Sequence, residues 1–245
     1  MALPISHDEV KLSLSRIKNG RAAGPDGTPA ELLKAAGPAV TNALHRLFNQ
    51  AWEKETLPQD FRDANIVPIF KRKGKRTDCT NYRGIALLSI AGKILADIIV
   101  RRLTKSMIDN ILPESQCGFR ANRGTADMVF TLRQIQEKCR EQQRPLYICF
   151  VDLTKAFDSV SRQTLWDVLR IFGCPEKRVH MIRLFHDDML ARIKINGQLS
   201  DPFPVINGVK QGCKMAPILF AIFLAAALSS SQTEDGVLIK FRYYG

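Results

Sequence analysis

Apolar positions in the first half of the chain recur mainly at helical spacing. Ser6-x-x-Glu9 is a capping-box signature, and Val10, Leu14 and Ile17 follow on one helical face until Asn19-Gly20 interrupts them. Thr28-Pro-Ala-Glu31 repeats the signature with proline at the first helical position. Residues 38–55 form a longer pattern that turns Val40, Leu44, Leu47, Phe48, Ala51 and Trp52 to one side. Residues 65–70 then predict a strand and 71–80 a polar, basic loop. Two further helices are predicted over 89–108, with Ile94, Leu95, Ile98 and Ile99 inside, and over 125–143, with Met128, Val129, Leu132 and Ile135 inside.

The pattern changes after residue 146. Tyr147-Ile-Cys-Phe-Val151 is a short apolar run rich in aromatic and β-branched residues, which predicts a buried strand. Ser161 opens a helix carrying Leu165, Val168, Leu169 and Phe172 and closed by Gly173, and residues 175–189 predict another. Residues 191–197 alternate and run into Asn196-Gly197, a strong hairpin signal, with a return strand to Ile206. Residues 216–228 are apolar but fall short of the ~20 needed to cross a bilayer, so they read as a buried helix. A last short strand is expected over 237–241. Helices first, then strand, helix, hairpin and helix, define an α+β protein.

Composition narrows the partners. The 245 residues carry 36 Lys and Arg against 24 Asp and Glu, a net charge of +12, and 45% are hydrophobic. A globular protein with this excess of cations suits a polyanion, whose condensed counterions are released on binding. The cysteines at 79, 117, 139, 149, 174 and 213 form no Cys-x-x-Cys pair and no zinc spacing with histidine. Cys149 and Cys174 stand in apolar contexts and read as core thiols, which suits a reducing cytoplasm or nucleus rather than secretion. The amino terminus has no basic region followed by an apolar stretch, so no signal peptide is read and no membrane partner is expected.

The apolar run delivers one carboxylate, Asp152, at its end. A carboxylate at the mouth of a core strand is costly unless paired or bound to metal; it serves either as such a site or as a helix cap. Downstream, Gly208-Val-Lys-Gln-Gly-Cys-Lys-Met-Ala-Pro217 leads into the apolar helix and favours the site. His186-Asp187-Asp188 offers adjacent carboxylates, but no strand–turn–strand surrounds them, and they read as a solvated surface.

Together these segments resemble the reverse transcriptases of non-LTR (LINE-type) retrotransposons. Ala22-Ala-Gly-Pro-Asp-Gly-Thr-Pro-Ala-Glu-Leu-Leu33 is similar to an N-terminal fingers motif, and Asn81-Tyr-Arg-Gly-Ile-Ala-Leu-Leu-Ser89 to a second one. Gln116-Cys-Gly-Phe-Arg-Ala-Asn-Arg-Gly-Thr-Ala-Asp127 resembles the segment that follows, Asp152 to Val160 resembles motif A, and Gly208 to Pro217 resembles motif B. The five occur in the family's order. The resemblance implies a right-hand polymerase fold without the thumb, with a mainly helical fingers-like region over 1–145 and a partial palm over 146–245. The family's next motif, a hairpin bearing Tyr/Phe-x-Asp-Asp, does not occur within the 245 residues. The expectation is therefore a fragment inactive by itself; the competing reading is a catalytically dead remnant that at most binds nucleic acid.

The resemblance also assigns residues. Asp152 matches the motif A ligand of a catalytic Mg²⁺, one of the metal pair that clamps attacking and leaving oxygens in nucleotidyl transfer. Leu153 would lie by its backbone near metal and triphosphate. Phe157 matches an aromatic steric gate against a 2′-hydroxyl, although without the motif it reads as a core phenylalanine. Gln211-Gly212 matches the pair lying against nucleotide and template. Arg83 matches a triphosphate-binding arginine, suited to bidentate phosphate contact. Lys71 or Lys73 of the basic loop is a candidate for a second contact, while the run Lys71-Arg-Lys-Gly-Lys-Arg76 also reads as a nuclear-localisation patch or a solvated loop. Arg120 and Arg123 would meet the template backbone. The implied partners are an RNA template, a DNA primer and a dNTP. The family usually carries Cys-Pro-Leu-Ser-Pro after the Gln-Gly pair, where this chain has Cys213-Lys-Met-Ala-Pro217.

Overall fold

A computed structural model describes residues 3–105 and 112–229 of the chain. Helix α1 (His7–Arg16) starts as its sequence dictates: the Ser6 hydroxyl accepts the Glu9 amide and the Glu9 carboxylate accepts the Ser6 amide. Val10 and Leu14 are buried on its inner face. The second expected box does not form. Helix α2 (Ala30–Ala35) has Pro29 as its cap with no side-chain bond, because Thr28 turns back to Asp26 and Glu31 accepts the Gly20 amide instead. Helix α3 (Gly37–Lys54) buries Leu44, Phe48, Ala51 and Trp52 as its periodicity requires, and α4 (Gln59–Arg62) is a single turn. In α5 (Ile90–Leu103) the Ser89 hydroxyl caps the Gly92 amide, and Ile94, Leu95, Ile98 and Ile99 form the centre of the core.

One five-stranded sheet backs these helices. Strands β1 (Ala64–Phe70) and β2 (Tyr82–Leu87) pair antiparallel around the basic loop, with Ile69 opposite Arg83. Strand β3 (Leu190–Ile195) pairs parallel with β1 in the register Ala64 to Ala191 and Ile66 to Ile193. That pairing stops short of Pro68, which has no amide to offer a second neighbour. β3 turns through Asn196 and Gly197, both at positive φ as a two-residue hairpin needs, into β4 (Gln198–Leu199). β5 (Phe203–Pro204) returns along the start of β3.

The remaining α-helices among the described residues are α6 (Thr125–Glu141), α7 (Arg162–Ile171), α8 (Glu176–Leu184) and α9 (Ala216–Ser229). Ser161 caps α7, whose Leu165 and Leu169 are buried, and α9 buries Ile218, Leu219, Ala221 and Ile222 while its last turn is exposed. No described helix is long and apolar enough to cross a membrane. The expected strand of 237–241 lies outside the described residues.

Several expectations are corrected. Residues 147–151 are irregular rather than a buried strand, and Tyr147, Phe150 and Val151 are 92%, 83% and 78% exposed. A strand needs a hydrogen-bonding neighbour as well as β-prone side chains, and no described strand lies alongside this run. Cys149 within it is exposed, whereas Cys174 is buried as expected. Met128 and Val129 of α6 also face solvent, and Cys139 is the buried residue of that helix. The helix expected over 175–189 ends at Leu184. His186 is fully buried rather than on a solvated surface, because α8 ends just before it and turns its ring against Trp166, at 5.6 Å between centroids. Its neighbour Asp188 is exposed.

Candidate nucleotide and nucleic-acid site

The segment after Asp152 turns tightly over residues 154–159 and is stitched to the loop before Gln211. The Val209 amide donates to the Phe157 carbonyl at 2.8 Å, and the Gly208 amide donates to the Val160 carbonyl at 2.9 Å. Gly208 has φ of 78°, and a Cβ there would stand 2.7 Å from Asp158 Cα, so the two backbones approach only because this residue is glycine. Arg162, buried at the first turn of α7, holds the same junction. Its Nε donates to the Gly208 carbonyl at 2.9 Å, one terminal nitrogen to the His186 carbonyl at 2.6 Å, and the other to the Asn207 carbonyl at 3.3 Å.

The loop then crosses to the sheet. The Ala86 amide of β2 donates to the Gln211 carbonyl at 3.0 Å. Gly212 (φ 113°) passes so close that a Cβ would lie 2.7 Å from the Ala86 carbonyl oxygen. One loop thus joins the turn after Asp152 to the strand that carries Arg83. Between them lies a cavity of about 420 Å³ whose walls include Gly84, Ala86, Asp158, Asn207 and Gln211. Phe157 is half-buried beside this junction, with the Phe119 ring at 6.0 Å and the Phe220 ring at 4.9 Å between centroids.

The cations divide into engaged and open ones. Arg83 is exposed, with no side-chain hydrogen bond among the described residues. The Lys71 ammonium donates to the Thr80 carbonyl at 2.9 Å, while Lys73 is exposed without such a bond among the described residues. Asp78, accepting from the Thr80 amide and hydroxyl, fixes the base of that loop, and Arg76 stacks over Phe70 at 5.5 Å. Arg120 and Arg123 both meet Glu114, at 3.2 and 2.6 Å, and those contacts hold the Glu114 carboxyl below its ordinary range. Asp152 and Leu153 are exposed in the irregular segment before the turn.

Beneath the loop the protein buries unusual charge. Lys210 is almost fully buried with its ammonium on the Arg62 carbonyl, and burial lowers its pKa to about 8. His186 donates from Nδ1 to the Ile182 carbonyl at 2.9 Å; burial, with Lys210 nearby, lowers its pKa to about 3, so the ring stays neutral. Burial also lowers the pKa of Arg162. None of these is prominent in the sequence. Arg162 looks like a solvated first-turn residue, and only its place between the two motifs marks it out.

A metal site is not assembled by these residues alone. Among the described residues no three His, Cys, Asp or Glu side chains converge as a metal-binding group, and Asp152 itself is exposed. The described residues therefore do not themselves fit a pair of Mg²⁺ ions.

Residues 70–242 match the family "Reverse transcriptase (RNA-dependent DNA polymerase)", and the chain belongs to that family. Its relatives are the enzymes of non-LTR retrotransposons. The chain is 26% identical to the RNA-directed DNA polymerase from mobile element jockey of Drosophila melanogaster, over 91% of this chain and 25% of the relative. It is 30% identical to the Pol polyprotein from the type-2 retrotransposable element R2DM of the same fly, over 94% of this chain and 21% of the relative. A 149 kDa protein of transposon TX1 from Xenopus laevis is 28% identical over 89% of this chain and 17% of its own length. The chain thus spans about a quarter or less of these relatives. Enzymes of this family use divalent metal ions with nucleic-acid template and primer.

Proposed function

We propose that this chain is the fingers and part of the palm of a right-hand RNA-directed DNA polymerase, divided near residue 145, and that it binds an RNA template, a DNA primer and a dNTP. The observation that carries this reading is the loop of Gly208 to Gly212, bonded to the Phe157 and Val160 carbonyls on one side and to Ala86 on the other. That loop ties the turn carrying the candidate gate Phe157 to the strand of the candidate phosphate-binding Arg83, and Gly84, Asp158, Gly208 and Gln211 line the cavity between them. Arg83 grips triphosphate oxygens, with Lys73 the more accessible second cation because Lys71 is held by Thr80. Phe157, beside the Phe119 and Phe220 rings, is the candidate gate against a 2′-hydroxyl. Gln211 and Gly212 offer a flat backbone surface for a base pair. Arg120 and Arg123 exchange Glu114 for template phosphates. Asp152 is the candidate Mg²⁺ ligand among the described residues.

Ternary complex formation tests the reading. The protein should bind an RNA template annealed to a DNA primer and then retain the matched dNTP with Mg²⁺. Arg83→Ala should weaken dNTP retention roughly tenfold, in keeping with removal of a charge-assisted bond. Equal binding of matched and mismatched dNTPs, or no loss with Arg83→Ala, would refute it.

A further inference from the structure

Asp97 lies on α5 with 5% exposure, and three side chains converge on it. The Ser13 hydroxyl of α1 donates to Oδ2 at 2.9 Å, and Arg101 Nε stands 3.3 Å from the same oxygen. Arg101 also donates to the Ser13 hydroxyl at 2.6 Å and to the Glu9 carbonyl at 3.1 Å, so this half of the cluster joins α1 to α5. The other oxygen, Oδ1, faces Lys214, whose Nζ lies 2.8 Å away. Lys214 follows Gly212 by two residues, at the far end of the loop that rests on β2.

That loop needs an anchor there. Its near end is fixed by Arg162 and by the stitches to Phe157 and Val160. Gly212 has no side chain and sits at φ 113°, so its backbone can hinge. Past it, Cys213 and Met215 are buried and the Cys213 amide donates to the Lys210 carbonyl at 3.0 Å, and the Lys214–Asp97 pair adds a charged tie to α5. We propose that Lys214 is a positioning residue: by pairing with buried Asp97 it moors the loop to α5, keeps the Gln211 carbonyl on the Ala86 amide, and so sets the surface that receives template–primer. The last step rests on the polymerase reading above.

The rival role for Lys214 is direct contact with a nucleic-acid phosphate. Its side chain is 37% exposed, but its partner carboxylate is only 8% exposed, where a charge-assisted bond is stronger than at the surface. Turning to a phosphate would leave that buried carboxylate less compensated, a costly exchange.

The test uses the 245-residue protein with Lys214→Met, Lys214→Arg, Asp97→Asn and the Asp97→Asn/Lys214→Met double variant. Hydrogen exchange of the Ala86 amide is read in the free protein, and binding of an RNA-template/DNA-primer duplex across a salt series is read beside it. Mooring predicts that Lys214→Met and Asp97→Asn each speed Ala86 exchange and each weaken template–primer roughly tenfold, the size expected for one charge-assisted bond. The double variant should be no worse than either single one. The salt slope should not change, and Lys214→Arg should behave as wild type. Phosphate contact predicts the opposite: Lys214→Met lowers the slope by about one while Asp97→Asn binds as well or better. That result, or Ala86 exchange unmoved in Lys214→Met, which keeps the Ser13 and Arg101 contacts, overturns the proposal. Ala86 exchange that responds in a wild-type background unable to bind template–primer would refute the polymerase reading while upholding the mooring.

Discussion

Arg162 Nε donates to the Gly208 carbonyl at 2.9 Å across 46 residues of sequence. This bond ties the helix after the Asp152 segment to the loop before Gln211. Arg162→Ala should cost about 2–4 kcal/mol, because it leaves the Gly208, His186 and Asn207 carbonyls without a donor. Arg162→Lys should recover only part of this, since an ammonium cannot reproduce the planar fork. Urea denaturation of the variants measures both.

Gly208→Ala meets two penalties at once, a positive φ and a Cβ 2.7 Å from Asp158 Cα. The obstructing atom is backbone and cannot rotate away. A loss of about 2 kcal/mol or more is expected from strain and displacement together. Thermal melting checks it, with a stability equal to wild type the contrary outcome.

His186 gives the fold an acid limit. Its folded pKa of about 3 lies below the ordinary 6.5, so between these values the unfolded chain takes up a proton that the folded protein refuses. Its contribution is intact above pH 6.5 and is lost as pH falls, at about 1.4 kcal/mol per pH unit. His186→Met should flatten stability by that slope between pH 6 and 4. Denaturation midpoints at several pH values, read for both proteins, decide the matter.

Removing Lys71, Lys73 and Arg83 together should weaken nucleic-acid binding across all sequences. The salt dependence should flatten by about one log–log unit for each phosphate that is no longer neutralised. Lys71→Ala alone should change little, because its ammonium is occupied by Thr80. Anisotropy titrations at several salt concentrations distinguish a phosphate-binding loop from a solvated one.

Tyr147, Phe150 and Val151 form an exposed apolar run, and such surface promotes association. The protein should show concentration-dependent self-association in light scattering. Phe150→Asp should reduce it without lowering the melting temperature, because that side chain stands outside the core. A wild-type protein that stays monomeric at high concentration would count against this.

What the sequence discloses is whatever depends on near neighbours. The Ser6 box, the faces of α1 and α3, the Asn196-Gly197 hairpin and the buried α9 follow from spacing and turn chemistry alone. Residues 147–151 mislead because strand formation depends on a neighbour that composition cannot supply. Met128 and Val129 keep a helical period without a surface to meet. In the candidate site, motif order nominates Phe157, Gln211 and Arg83, but the long-range contacts around them are not legible there. Arg162 and Lys214 act on partners 46 and 117 residues away, and each resembles an ordinary solvated cation in its local context.

The parallel pairing of Ala64 with Ala191 governs when the protein can form as well as what it looks like. β1 leaves the ribosome long before β3 exists, and until then one flank of its early residues has no partner. Helices α1, α3 and α5 can collapse as they are made, but closing the sheet awaits a crossover that spans about half of the chain. Such distant closure is slow and leaves an incomplete edge exposed meanwhile. During synthesis the helical first half therefore precedes the completed sheet, and the flank of β1 that β3 will cover stays open until the β3 hairpin has been made.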